Sequence, residues 1–517
     1  MGVALAASAS CSKLLDTTPT TAVSGDTMLQ TTEGGYQALN GIYRFFWQWS
    51  VSTGSLTHEA FGPQGYALMA DAMGDDMLLS SMGNGWFWFD YLYQSKEEFT
   101  RDNFRPYDIW NYNYTIISQA NYIIAAAGTM SGNKSDVDYI VGNAYALRGN
   151  AYYNLAINFA RSYDGHQDRL CVPIYLEPTT SATKGKARET NEKVYNQALD
   201  DLNKAIELLK GQKQKHCSHI DYSVANGIKA RIALTMNKFA DAYEAAYEAI
   251  STTSKSLTDK VMTGYNDAVN GVDVMWGAEI ITDQGTTNPQ FLAHMDPAAD
   301  SYGADCRKLC SKWLYAKIAN DDVRKKWWVE EDMPEKHDIK RGYMQYKFKF
   351  KDPKNMKSGA DHIFMRVPEM YLICAEAKCR LDDDASAQTI LNSFMSYRQP
   401  GYDCSGKSGK TLGKLTTDET GSLLEEIILQ RRIELWGEAG RMYDIKRLRQ
   451  GFVRTEAMGY QESARLASLK TSDPESFDWV MTIPQAEIDA NPLMVQNPLG
   501  STATATEGDD PSLNKAE

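Results

Sequence analysis

The spacing of small and apolar residues along two stretches restricts what this sequence can fold into more than any other feature. Between Tyr195 and Leu209, Ala198-x3-Leu202-x2-Ala205-Ile206 has the spacing of the second helix of a tetratricopeptide unit. Asn237-Lys238-Phe239-x-x-Ala242, followed by Ala246 and Ala249-Ile250, repeats it. Small residues at fixed positions let two antiparallel helices approach closely, and each pair buries its apolar face by stacking on the next. Met365 to Leu381 and Ala385 to Tyr397 read as a further pair. A long stretch separates Ile250 from Met365. The expected fold class is therefore mainly α, with tetratricopeptide-like helix pairs and a large mixed loop and strand insertion.

Other helices are predicted at Glu33–Trp49, Arg105–Ala127 and Asp136–Ala160 by apolar residues recurring every three or four positions. Within the insertion, Val272–Ile281 reads as a strand, Gln284–Arg307 as a long loop and Lys308–Ile318 as a short helix. Tyr343–Lys351 alternates strictly, which predicts a half-buried strand whose outer face carries Gln345, Lys347, Lys349 and Lys351. A charged outer row protects a solvated edge. Ile483–Pro498 is expected to be irregular because Pro484, Pro492 and Pro498 block regular structure. Gly500–Glu517 is polar and acidic, and is expected to be disordered.

Glu425 to Gly451 is unusual in its charges. Ile427, Ile428, Leu435, Ala439 and Met442 form a buried stripe at helical spacing, with Arg431, Arg432, Glu434, Glu438 and Arg441 beside it. Charges held close to a core must be paired. The spacing predicts Arg431–Glu434 and Glu438–Arg441 as neighbours one turn apart. Gly437 and Gly440 are expected to admit another backbone. An acid/base role for Glu434 and Glu438 competes with a structural ion-pair network, and the network is the simpler reading.

A net charge of −13 argues against nucleic-acid binding, which leaves a basic footprint. No apolar run is long enough to span a membrane. The cysteines match no common zinc spacing, so buried free thiols are expected. No cofactor and no metal site is specified, although a calcium ion is left open. Residues 1–10 read as a signal-peptide remnant and 11–24 as an N-terminal tether with Cys11 lipidated.

The motif Glu426-x4-Arg431-Arg432-x-Glu434-Leu435-x-x-Glu438-x-x-Arg441-x-x-Asp444-Ile445 resembles the C-terminal signature of the SusD/RagB family. Five further segments resemble that family in its order. They are Trp110-Asn111-Tyr112-x-Tyr114 and Leu147-Arg148-Gly149-x-Ala151-Tyr152-Tyr153, then Asp322-x-Arg324 and Arg366-x-Pro368-Glu369-x-Tyr371-Leu372, and Ile483-Pro484-x-x-Glu487-Ile488 with Asn491-Pro492 and Gln496-Asn497-Pro498. The resemblance implies a SusD-like α-α superhelix of four helix pairs with a variable ligand-binding region. It implies one domain over 25–499, with an N-terminal half at about 25–235 and a C-terminal half at about 270–499. It also implies an outer-membrane lipoprotein that binds glycan at the cell surface and passes it to a SusC-like TonB-dependent transporter, without catalysis.

Sugars present apolar faces and hydroxyl rims, which aromatic rings and amides or carboxylates suit. Asn84, Trp86, Trp88, Asp90 and Tyr91 combine both, with Trp86, Trp88 and Asp90 on one side if the segment is extended. Whether these rings are platform or core stays open. The family's variable loops add Gln290, Phe291, His294 and Tyr302 as regional candidates. Trp276 and Trp313 read as core. Asp75 and Asp76 read as caps of a loop or helix. Competing functions are a peptide-binding member of the family or a tetratricopeptide-type interaction scaffold. A glycoside hydrolase ranks last, because nothing singles out a pair of carboxylates.

Overall fold

A computed structural model describes residues 25–53, 57–94, 104–330, 342–357, 359–461, 471–498 and 509–513. Residues 1–24, with Cys11 and the expected tether, lie outside the described residues.

The scaffold is helical. It comprises α1 (Thr32–Arg44), α2 (Pro63–Ala72), α3 (Arg105–Ala125), α4 (Lys134–Phe159), α5 (Asn191–Leu209), α6 (Tyr222–Thr235), α7 (Phe239–Thr252), α8 (Val367–Arg380), α9 (Asp384–Met395), α10 (Leu423–Glu434) and α11 (Arg441–Arg447). From α3 to α9 each helix packs on the next. Gly149 shows why the small residues matter. A Cβ there would lie 2.3 Å from Leu202 Cδ2 and 2.8 Å from the Ala198 carbonyl, so α4 and α5 meet nearly backbone to backbone. Its cost in helix propensity is offset by that contact. The helix α7 packs directly on α8, so the stack continues across the insertion, which is looped out between them.

The insertion forms two small antiparallel sheets, one of them completed by Met77–Leu79 from the chain after α2. One has the order β1-β3-β5-β4, from Met77–Leu79, Lys308–Cys310, Tyr343–Gln345 and Trp328–Glu330. The other pairs β2 (Val274–Ala278) with β6 (His362–Arg366), which runs straight into α8. Trp276 is core, as expected, whereas Trp313 is half-buried beneath the Arg432 guanidinium, 4.4 Å from its ring centroid. Two expectations here are corrected. Lys308–Cys310 is strand, and only Lys312–Ala316 is helical. The strand at Tyr343 ends at Gln345, and Gln345 and Lys347 are buried rather than outward. Lys347 Nζ donates to the carbonyls of Glu434 (2.7 Å) and Trp436 (2.8 Å) and lies 2.5 Å from Glu438. A buried cation satisfied this fully forms part of the core.

The charged stretch at 425–451 is also not one helix. It breaks after Glu434, and Gly437 and Gly440 adopt positive φ of 78° and 73°. Within the stretch Arg431 and Arg447 share Asp444, at 2.8 and 2.7 Å, while Arg432, Glu434 and Arg441 pair with distant segments. Glu434 meets Arg398 (2.8 Å), Arg366 (3.1 Å) and Arg324 (3.4 Å). Arg432 meets Asp76 (2.6 Å) and Asp75 (3.0 Å), and Arg441 meets Asp75 (2.9 Å). Asp75 and Asp76 are therefore anchors for these arginines and not caps. The described cysteines are free thiols, all buried except the half-buried Cys217.

Of the tail, residues 509–513 are described, with a short 3-10 turn at Pro511–Leu513. The Asp509 side chain is buried 3.7 Å from Arg161, and its carbonyl accepts from the Leu170 N–H at 2.7 Å.

Candidate functional site

The chain leaving α1 turns three aromatic residues in different directions. Phe46 packs inward against Trp276 and Phe364, at 5.4 and 5.5 Å between ring centroids. Trp47 and Trp49 stay half-buried. Trp49 meets His58 edge-on at 5.3 Å, and His58 stacks on Trp86 at 5.3 Å and 24°. Tyr302 completes the row, 6.0 Å from Trp86, with its hydroxyl hydrogen-bonded to His58 Nδ1. These four rings form a half-exposed shelf.

Beneath the shelf is a buried layer of Phe61, Phe87 and His294. His294 Nε2 donates to the His58 carbonyl at 2.9 Å, and its ring meets Phe87 edge-on at 5.1 Å. Burial lowers the pKa of both His58 and His294, which keeps the imidazoles neutral and suited to stacking. The segment carrying Trp86 turns sharply at Gly85 (φ 89°) and Phe87 (φ 61°). Glu59 accepts the Phe87 N–H and thereby holds that turn. Arg105 neutralises this region from below, 2.8 Å from Asp90 and 3.2 Å from Glu59. Burial pushes the Asp108 carboxyl beside it up to about 6.

The structure separates the predicted residues. Trp86 and Tyr302 come together in the shelf. Asn84 is exposed, its amide 3.5 Å from Asp305 Oδ2, and Trp88 is half-buried against Tyr91 at 5.4 Å. Asp90, Tyr91, Gln290 and Phe291, expected as ligand contacts, are buried in this structure and lie outside the shelf. Asp90 is held by Arg105, and Tyr91 stacks on Tyr460 at 6.1 Å. Gln290 Nε2 donates to the Met356 carbonyl at 2.9 Å, and Phe291 packs on Phe348 at 5.0 Å. The physical reason is local geometry. Trp88–Tyr91 is a helical turn, so the two-sided alternation of an extended segment does not apply. Sequence reasoning missed Trp47, Trp49 and His58. The Trp47-Gln48-Trp49 run just beyond a helix end was the available signal. Among the described residues, no group of three or more His, Cys, Asp or Glu is placed to hold a metal ion. No described helix is long and apolar enough to cross a membrane.

This arrangement defines a mainly α, helix-pair protein with an aromatic shelf built on its loops. Residues 280–499 match the family model described as the SusD family, and residues 70–234 match a second described as starch-binding associating with outer membrane. A SusD-like carbohydrate binding protein from Bacteroides vulgatus is 26% identical, with a TM-score of 0.68 over 82% of this chain and 85% of that one. A SusD superfamily protein from Bacteroides thetaiotaomicron, 23% identical, superposes with a TM-score of 0.72 over 90% of this chain and 100% of that one. Surface glycan-binding protein A from the same organism, solved with laminarihexaose, is 16% identical, with a TM-score of 0.67 over 93% and 99%. No curated protein matches the chain. The chain belongs to the SusD/RagB family.

Proposed function

We propose that this protein binds an oligosaccharide or polysaccharide on the shelf of Trp49, His58, Trp86 and Tyr302, without catalysis. The observation that carries the reading is the row of four half-exposed rings backed by a fully buried aromatic layer. Such a row is rigid before ligand arrives, so little ordering entropy opposes stacking on sugar faces. Asn84 and Trp88 border it and remain candidates for hydroxyl and face contacts. The family, with neighbours described as carbohydrate-binding and as glycan-binding, supports the same class of ligand. Delivery to a SusC-like TonB-dependent transporter, a lipid anchor at Cys11, an outer-membrane surface location and one domain over 25–499 belong to this reading.

The test is calorimetric titration with plant, host and microbial polysaccharides and with a peptide mixture. Saturable glycan binding without product is expected. Trp86→Ala should weaken it by about 2 kcal/mol, the size of losing one aromatic anchor, with the melting temperature unchanged. A variant that melts early yet binds normally would make Trp86 a core residue. Binding to peptides alone would replace the glycan reading with a peptide-binding one.

A further inference from the structure

Beside the shelf is an open groove of about 890 Å³ that the reading above leaves unused. It lies between the end of α1, the loop at 215–219 and residues 278–286. Trp47 and Trp49 line it, both half-buried, with the amides of Asn40 and Gln284 among its polar groups. Its charges balance, Arg44 and Lys215 against Glu279 and Asp283. Lys215 is in addition held by Asp136, which lies outside the lining. His219, whose pKa burial pushes down to about 4, adds no charge, and its Nε2 is 2.9 Å from Asn40 Oδ1. Aromatic faces, amides and an even charge count suit an uncharged polyhydroxyl ligand and disfavour an acidic one.

Trp49 belongs to both places. It lines the groove, and its ring meets His58 of the shelf at 5.3 Å and 90°. We propose that the groove is a second sugar subsite, so that one uncharged glycan chain runs from the shelf across Trp49 and into the groove. The protein then selects an extended chain over a single terminal sugar. This inference rests on the glycan reading of the shelf.

The experiment uses the full chain and whichever uncharged panel polysaccharide binds, cut into a ladder of pure oligosaccharides from disaccharide to octasaccharide. Affinity of the unaltered protein should rise with chain length. Trp47→Ala should lower octasaccharide affinity about tenfold, the loss of one stacking contact, and leave the disaccharide unchanged. Gln284→Ala, on the exposed rim, should lower it in the same length-dependent way without endangering the fold. Trp86→Ala should weaken every length. Long and short chains bound equally tightly, or groove variants without effect while Trp86→Ala remains damaging, would overturn the groove alone. Failure of every glycan to bind the unaltered protein would overturn the shelf reading and the groove with it.

Discussion

Asp71 holds the start of α11. Its Oδ1 accepts the Arg441 N–H at 2.8 Å, and its Oδ2 is buried without a hydrogen-bond partner among the described residues. Burial pushes the carboxyl up from 3.8 to about 8, so the folded protein keeps this proton at neutral pH. The unfolded chain releases it near 3.8. The group's contribution is therefore complete below that value and is lost as pH rises to about 8. Asp71→Asn keeps the acceptor for Arg441 and removes the titration. Its melting temperature relative to the parent should climb as pH is raised from about 4 to about 8. A constant difference across that range would show that Asp71 titrates normally. At this scale, the need for charge pairing was legible in Arg431, Arg432, Glu434 and Glu438, but the partners were not. Neighbours one turn apart are the only partners a sequence displays, whereas Asp75 and Asp76 reach Arg432 from hundreds of positions away.

The break between α10 and α11 shows how an element differs from its pattern. Apolar periodicity runs through 425–451, yet the carbonyls of Glu434 and Trp436 point to Lys347 instead of continuing the helix. Lysine groups commonly satisfy such end carbonyls. Gly437 makes the turn possible, with φ of 78° and room for no Cβ, since one would lie 2.5 Å from Phe348 Cε2. Gly437→Ala should cost about 1–3 kcal/mol from backbone strain alone, with more from the clash. Chemical denaturation measures this, and unchanged stability would mean that the break relaxes into continuous helix. The same limit explains Lys347. Period-two alternation was readable, but the strand stops at Gln345, and beyond it side-chain direction no longer follows the period.

Across the whole molecule, Glu434 gathers Arg324, Arg366 and Arg398, contributed by the insertion, by β6 and by the segment after α9. These guanidiniums hold its carboxyl well below the usual carboxylate range. It therefore stabilises the fold above pH about 4.5, and that stabilisation is lost as pH falls further. Glu434→Gln leaves buried arginines undercompensated and should cost about 3–5 kcal/mol at neutral pH, narrowing toward acid. Urea titrations at neutral and acidic pH measure both effects. A neutral-pH cost near zero would mean that the network is dispensable to the fold.

The sequence by itself determined the helix pairs, the small residues that let them close, the interruption between α7 and α8, and a family signature. Each of these is a local pattern, carried by residues within a few turns of one another. Only the tertiary structure decided which rings are exposed, because Trp86 and Tyr91 have similar neighbours in sequence and opposite surroundings in space. It alone brought Trp49, His58 and Tyr302 to Trp86. A binding surface assembled from separate loops depends on long-range packing, and no spacing along the chain encodes that.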